Sequence, residues 1–155
     1  AASAYGVFSE QGQGTYQVQS LHGETISLYG KGLYRYDSVS MASQAISQDI
    51  VTMILGVPLL LISFYFSRKG LLKGRLLLTG TLGYFLYTYA SYSLLTMYNP
   101  LFLVYVTLMS ASFFAFTLAM MSLASEELSA SFRPELPVRF VGGFLIFMAA
   151  AIGLM

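Results

Sequence analysis

The chain has 155 residues, of which 56% are hydrophobic and only 10% are charged, and its net charge is +1. Soluble domains carry roughly 25% charged residues, so this composition is that of an integral membrane protein. A nearly neutral chain offers no basic field for nucleic acid. The absence of cysteine excludes disulfides, thiolate metal sites and thiol–disulfide chemistry.

The first 37 residues predict β-structure. Tyr16–Leu21 and Glu24–Tyr29 flank His22-Gly23, a two-residue hairpin turn, and Leu33–Tyr36 follows as a third strand. So small a sheet has too little core to be stable alone. We therefore expect residues 1–38 to form a short extracytoplasmic β-meander that lies on the outer ends of the membrane helices or on a partner chain.

The first long helix is predicted to begin next to this sheet. Asp37 and Ser38 are both residues that cap helix N-termini, so we expect the helix to start near Val39 and to run continuously into the bilayer. Gly56-Val57-Pro58 lies within it and predicts a kink.

Four apolar runs follow along the chain, and none contains Lys, Arg, Asp, Glu or His: Ile50–Phe66, Leu76–Leu95, Leu101–Leu123 and Phe140–Met155. A helix needs roughly 20 apolar residues to cross a bilayer. The sequence therefore predicts a membrane all-α fold in which residues 39–155 form a bundle of four transmembrane helices. The last run is short and still apolar at Met155, so we expect the native chain to continue.

The orientation follows from the basic residues. The short loop Ser67–Arg75 holds half of the eight Lys and Arg residues, namely Arg68, Lys69, Lys73 and Arg75. The positive-inside rule places this loop in the cytoplasm, where it also attracts anionic headgroups. We expect a prokaryotic cytoplasmic membrane protein with its N-terminal segment outside and with the loop Ala124–Arg139 inside.

The second span has one hydroxyl-rich face, made of Gly80, Thr81, Tyr84, Tyr87, Thr88, Ser91 and Tyr92. Hydroxyl groups avoid lipid tails unless they find partners, so this face should point into the bundle. Either it makes interhelical hydrogen bonds and close packing, or it is the wall of a pocket for a lipid, quinone or pigment. In the second case we expect the pocket between the second and third spans, with Tyr105 added to its lining. A bound lipid or isoprenoid is its expected content, and no cofactor is predicted.

The third span carries small residues at spacings of three and four: Ala111, Ala115, Ala119 and Ser122. Small-xxx-small stripes let helix backbones approach closely. This stripe is predicted to be a helix-packing surface.

Few residues offer chemistry. The four spans hold no ionisable side chain of the kind that builds ion or proton pathways. Asp49, at the outer edge of the first span, is most simply a solvated or helix-surface group; the alternative is that it pairs with Arg35 or Lys31 of the sheet or lines a pocket mouth. No metal site is expected, because Glu126, Glu127 and Glu135 have no His or Cys nearby. An enzyme would need an acid or base from Asp37, Asp49 or His22, which is the weakest of the hypotheses.

Three stretches resemble a group of prokaryotic integral membrane proteins to which no activity is assigned: Gly32–Ser38, Leu76–Tyr92 and Tyr98–Val106. The resemblance spans about Tyr5 to Leu123. It implies an outer β segment followed by a helical bundle in the cytoplasmic membrane, and it carries over no catalytic or binding residue.

Two functional hypotheses remain open. In the first, the chain is a non-catalytic structural or accessory subunit that packs against other membrane proteins. In the second, it is a lipid-, quinone- or pigment-binding module or a transporter component, with Tyr84, Tyr87, Thr88, Ser91, Tyr92, Tyr105 and Asp49 as ligand-binding residues.

Overall fold

The computed structural model describes residues 2–20, 23–123 and 138–153 of the chain. These residues are mostly helical, with one small sheet, and they fall into two compact units that divide after Ser122. His22 of the predicted turn and most of the predicted loop Ala124–Arg139 lie outside the described residues. Each unit is described by itself.

The N-terminal part contains a hairpin, as the sequence predicted. Strands β1 (Tyr16–Gln19) and β2 (Thr25–Leu28) pair antiparallel, with Tyr16 opposite Leu28 and Gln19 opposite Thr25. A helix that the sequence did not predict, α1 (Ala2–Phe8), precedes them. The strand expected at Leu33–Tyr36 is instead a turn. The sheet therefore has two strands rather than three.

Two glycines cause that turn. Gly30 and Gly32 have φ angles of 71° and 57°, in the left-handed region that favours glycine. The chain folds back so that the Gly30 N–H donates to the Arg35 carbonyl at 3.0 Å. As a result Leu33 and Tyr34 are buried, while every residue of β1 and β2 except Leu28 is exposed. The turn, and not the sheet as predicted, packs against the helices.

Helix α2 (Val39–Val51), a π-helical segment (Thr52–Gly56) and α3 (Val57–Arg68) form one continuous helix of 30 residues. The predicted start at Val39 is confirmed, and the Ser38 hydroxyl accepts from the Met41 N–H at 3.3 Å. The π segment ends at Gly56, the first residue of the predicted kink Gly56-Val57-Pro58. The Val57 N–H donates to the Thr52 carbonyl, and Pro58 has no N–H to continue a regular ladder.

Helices α4 (Leu72–Leu94) and α5 (Phe102–Met121) complete the first unit. Helix α4 packs against α3 on one side and against α5 on the other. Gly74 and Gly83 permit these approaches: a side chain at Gly74 would meet the backbone of Phe66 and Ser67, and one at Gly83 would meet the Phe116 ring. The buried residues of α4, with the exception of Thr79, lie on one arc of the helix: Gly74, Thr81, Phe85, Thr88, Tyr89 and Tyr92.

Helix α6 (Val138–Gly153) belongs to the second unit. Its large apolar side chains, among them Phe140, Ile146 and Phe147, are exposed.

Two helices are long and apolar enough to cross a membrane: the continuous helix Val39–Arg68 and α5. Helix α4 is long enough at 23 residues, but its Tyr, Thr, Ser and Gly residues lower its hydropathy. The apolar part of α6, Arg139–Ala150, is shorter than a typical span. Two candidate spans are thus shown of the four that the sequence predicted.

Candidate functional site

Asp49 lies at the centre of the contacts between the N-terminal segment and the helices. It projects from α2 and is 0% exposed, so it is not the solvated group that its position suggested. The Tyr34 hydroxyl donates to its Oδ2 atom at 2.7 Å. Gly6 of α1 packs directly on the carboxylate, because a Cβ at this position would collide with Oδ2. Within the part of the chain that the structure describes, the Oδ1 atom has no hydrogen-bond partner.

Three tyrosine rings, tilted against one another, form a cluster beside this carboxylate. The ring centroids of Tyr34 and Tyr92 are 6.3 Å apart, and those of Tyr92 and Tyr105 are 5.0 Å apart. The Tyr92 hydroxyl donates to the Ala45 carbonyl at 2.9 Å, whereas the buried Tyr105 hydroxyl has no partner. Burial raises the pKa of Tyr34 far above its ordinary value, which keeps its hydroxyl a donor. This cluster joins the segment before α2 (residues 2–20 and 23–38), which we call the cap, to α2, α4 and α5.

A second carboxylate fixes the turn between α4 and α5. Asp37 is buried, and its Oδ1 atom accepts from the Met97 N–H at 2.8 Å. Burial raises the pKa of Asp37, while the hydrogen bond from Met97 opposes that rise. Next to it, Asn99 Oδ1 accepts from the Leu101 N–H at 3.0 Å, and this bond closes the turn. The Asp37 carboxylate therefore holds the cap to the turn between α4 and α5.

Gln48 connects α2 to α4 through its side-chain amide. Its Nε2 atom donates to the Tyr84 hydroxyl at 2.9 Å and to Thr88 Oγ1 at 3.0 Å. The Thr52 hydroxyl lies 2.8 Å from the same Tyr84 hydroxyl. With the Tyr92 hydroxyl on the Ala45 carbonyl, three hydroxyl groups of the predicted face of α4 are thus hydrogen-bonded to the first long helix.

Above this network, toward the N-terminus of α2, α2 and α4 enclose a polar groove of about 150 Å³. Its lining side chains are neutral, and most are polar: Gln44, Gln48, Tyr87, Thr88, Ser91, Tyr92 and Thr96, with Met41, Ala45 and Leu95. Tyr87 is 71% exposed and stands at the edge.

Below the network, the π-helical segment and α3, the continuation of α2, enclose with α4 an apolar groove of about 360 Å³. Residues of the long helix that line the two parts recur every three or four positions, so they lie on one face: Gln44, Gln48, Val51, Leu55 and Leu59. The facing residues of α4 do the same: Leu95, Ser91, Thr88, Tyr84, Gly80 and Leu77. We call the two parts together the α2–α4 groove.

Of the ligand residues predicted from the sequence, five line the α2–α4 groove and two lie in the buried cluster. Tyr87, Thr88, Ser91 and Tyr92 line the polar part of the α2–α4 groove, and Tyr84 lines the apolar part. Tyr105 and Asp49 belong to the buried cluster and line neither part. The groove lies between the first long helix and α4, whereas the sequence placed it between the second and third spans.

Sequence reasoning missed the contribution of α2. Gln44 and Gln48 face the groove, and with Ser43 and Ser47 they border a shallow hollow that also includes Val51. The spacing 43, 44, 47, 48 is that of one helix face, and it was a visible signal for a polar stripe.

The small-residue stripe of α5 is also divided. Ala115 and Ala119 line an apolar hollow of about 590 Å³ with side chains of α3 and α4. Ala111 and Ser122 are exposed.

Two of the predicted basic residues lie over aromatic rings at the end of α3. The Arg68 Cζ atom is 5.8 Å from the centroid of the Phe64 ring, and the Lys69 Nζ atom is 4.5 Å from the centroid of the Tyr65 ring.

Among the described residues, no group of three His, Asp or Glu side chains is arranged to hold a metal ion. Comparison with protein-family models, with curated proteins and with solved structures finds no match to this chain.

Proposed function

We propose that this protein is a membrane-embedded module that binds a lipid-like amphiphile in the α2–α4 groove. One observation carries the proposal: the groove changes from polar to apolar along its length. Gln44 and Ser91 line the polar part, and Leu55 and Leu77 line the apolar part on the same helix faces. An amphiphile has the same order of head and chain. Binding sites for such molecules are mostly apolar, with a few placed polar groups.

The dimensions of the groove fit this occupant. From Gln44 to Leu59 the helix rises about 22 Å, at roughly 1.5 Å per residue. The first long helix is about 45 Å long by the same rule, which exceeds the roughly 30 Å hydrocarbon core. Because its apolar run begins at Ile50, the polar part of the groove falls at the membrane surface and the apolar part falls in the hydrocarbon.

The proposal includes the full membrane topology. We propose that α4 and α6 also cross the bilayer, which gives four spans in the cytoplasmic membrane of a prokaryote. The cap would lie outside, and the loop with Arg68 and Lys69 would lie in the cytoplasm. Packing against neighbouring helices shields most hydroxyl groups of α4, with the exception of Tyr87, so a span of low hydropathy is physically acceptable.

Gly80 provides the test of the groove. It lines the apolar part, and nothing lies within 4 Å of the Cβ that a larger residue would add. Gly80→Leu therefore adds a branched apolar side chain to the groove, and its Cβ meets no protein atom. The protein is extracted from its own membrane in a polyoxyethylene detergent and weighed by native mass spectrometry. We expect a defined small-molecule mass on the wild type and its loss from Gly80→Leu.

Gly143→Leu is the matched control, because Gly143 is also helical with open space around its Cβ but does not line the groove. It should keep the extra mass. A wild-type protein that carries no small molecule, or a Gly80→Leu variant that keeps it, would refute the amphiphile proposal.

The hollow beside α5 supports a second candidate, an accessory subunit of a larger membrane assembly. Its small side chains Ala115 and Ala119 would let the backbone of a partner's transmembrane helix approach closely. In that case other membrane proteins should co-purify with the chain, and Ala115→Leu or Ala119→Leu should release them. Unchanged co-purification of the variants would argue against this role.

A further inference from the structure

The polar part of the α2–α4 groove contains no formal charge. Each of its ten lining residues is neutral, and the hydrogen-bonding groups among them are amides and hydroxyls. A phosphate head is usually held by Arg, Lys or several backbone N–H groups, and an ammonium head by carboxylates or an aromatic cage. Neither arrangement lines this groove, so its chemistry favours a head group without charge.

The helix ends near the groove do not supply a charge either. Met41 lies in the first turn of α2, where the partial charge is positive, and Leu95 caps the C-terminus of α4, where it is negative. Both residues line the groove. The partial charges of the two helix ends have opposite sign there. The attraction of an anion to the end of α2 is therefore offset by its repulsion from the end of α4.

Several lining groups can pair with hydroxyls of a ligand. Gln44 offers an amide donor and acceptor, Ser91 and Tyr87 offer hydroxyls that both donate and accept, and none of these three side chains has a hydrogen bond assigned within the described residues. A saccharide presents alternating donors and acceptors of this kind. The exposed Tyr87 ring adds a flat apolar face against which the C–H face of a sugar can rest.

We propose that the polar part of the groove recognises a neutral saccharide, and that the occupant is a glycosyl lipid whose acyl chain lies in the apolar part below. This inference rests on the proposed function, because it names the head of the amphiphile that the groove would hold.

Native mass spectrometry in nanodiscs tests the head class. The full chain is reconstituted in phosphatidylcholine that contains equal small fractions of glucosyl diacylglycerol and phosphatidylglycerol with identical acyl chains. We expect the glucosyl lipid to be retained at least about fivefold over either phospholipid, the ratio that one net hydrogen bond provides. Gln44→Ala and Ser91→Ala should each reduce this ratio, whereas Gln17→Ala, on the exposed strand β1, should leave it unchanged.

The outcomes separate this inference from the proposed function. Retention of all three lipids without preference, abolished by Gly80→Leu, would overturn the saccharide inference and leave the amphiphile groove standing. Preference for phosphatidylglycerol would overturn it as well. If no lipid is retained, or if Gly80→Leu changes nothing, the amphiphile groove itself fails. Methyl glucoside tests whether the lipid chain is needed. If this free glycoside binds as tightly as the glucosyl lipid, the inference that the occupant is a glycosyl lipid is overturned.

Discussion

Asp37 and Asp49 are both nearly inaccessible to solvent, and each accepts one hydrogen bond from a distant part of the chain. Asp49 accepts from the Tyr34 hydroxyl, and Asp37 accepts from the Met97 N–H, which lies 60 positions along the sequence. Burial of a carboxylate costs free energy unless it is paired or protonated. Their positions therefore indicate that they hold the cap on the helices, and neither lines the proposed groove.

Replacement of Asp37 tests whether its buried carboxyl group contributes to stability. Its pKa is raised in the folded protein, so the folded state binds the proton more tightly than the unfolded state does. The stability that Asp37 contributes is therefore highest below its ordinary pKa of about 3.9 and falls as pH rises toward the folded pKa. Asp37→Asn keeps an acceptor for Met97 and removes the charge, so it should abolish this part of the pH dependence.

The thermal unfolding midpoint of wild type and of Asp37→Asn is measured in detergent from pH 3.5 to pH 7. The difference between the two midpoints at each pH removes the effect of the other carboxyl groups. Asp37→Leu is the control without an acceptor, and it should lose about 1 kcal/mol from the Met97 hydrogen bond. Parallel pH curves for wild type and Asp37→Asn would contradict the assignment.

At the scale of elements, the polar and apolar patterns predicted helix positions well, but they did not predict how helices meet. Ser38 ends the cap and begins α2 as expected, because a side-chain acceptor at that position satisfies a free N–H. Helix α1 was missed, since its seven residues carry no capping or periodic signal. The hairpin of α3 and α4 depends on Gly74, whose role is visible only when the end of α3 lies against it.

Gly74→Ala should loosen this helical hairpin. A Cβ at Gly74 would lie 2.5 Å from both the Phe66 carbonyl carbon and the Ser67 nitrogen, and backbone atoms cannot move aside as a flexible side chain can. We expect a loss of about 1–3 kcal/mol of stability, measured by thermal or denaturant unfolding in detergent. Gly80→Ala is the matched control and should be neutral or stabilising by up to about 1 kcal/mol, because it only improves helix propensity. Equal midpoints for both variants would show that α3 and α4 do not approach closely at Gly74.

At the scale of the whole molecule, the proposed orientation rests on the distribution of charge. Four of the eight Lys and Arg residues cluster around the turn between α3 and α4, and the cap lies at the other end of α2–α3. The two ends of this 30-residue helix must face opposite sides of a membrane if it crosses once.

The absence of cysteine makes the orientation simple to measure with single-cysteine variants. Ser27→Cys lies on the exposed strand β2, and Leu71→Cys lies in the exposed turn before α4. In intact cells, a membrane-impermeant maleimide should label Ser27→Cys at once and should label Leu71→Cys only after permeabilisation. The reverse pattern would invert the topology and would place the polar part of the groove at the cytoplasmic surface.

The sequence by itself determined that the chain is mostly helical with apolar segments long enough to cross a membrane, where the first long helix begins, and that α4 has one hydroxyl-rich face. These properties follow from composition, capping and helical periodicity, which are local. Only the tertiary structure decided that Asp49 is buried under α1, that Tyr105 joins its cluster, and that the hydroxyl groups of α4 face α2 across a groove. Periodicity defines which residues share a helix face, but the neighbour of that face depends on long-range contacts, such as those made by Gly6, Gly74 and Gln48.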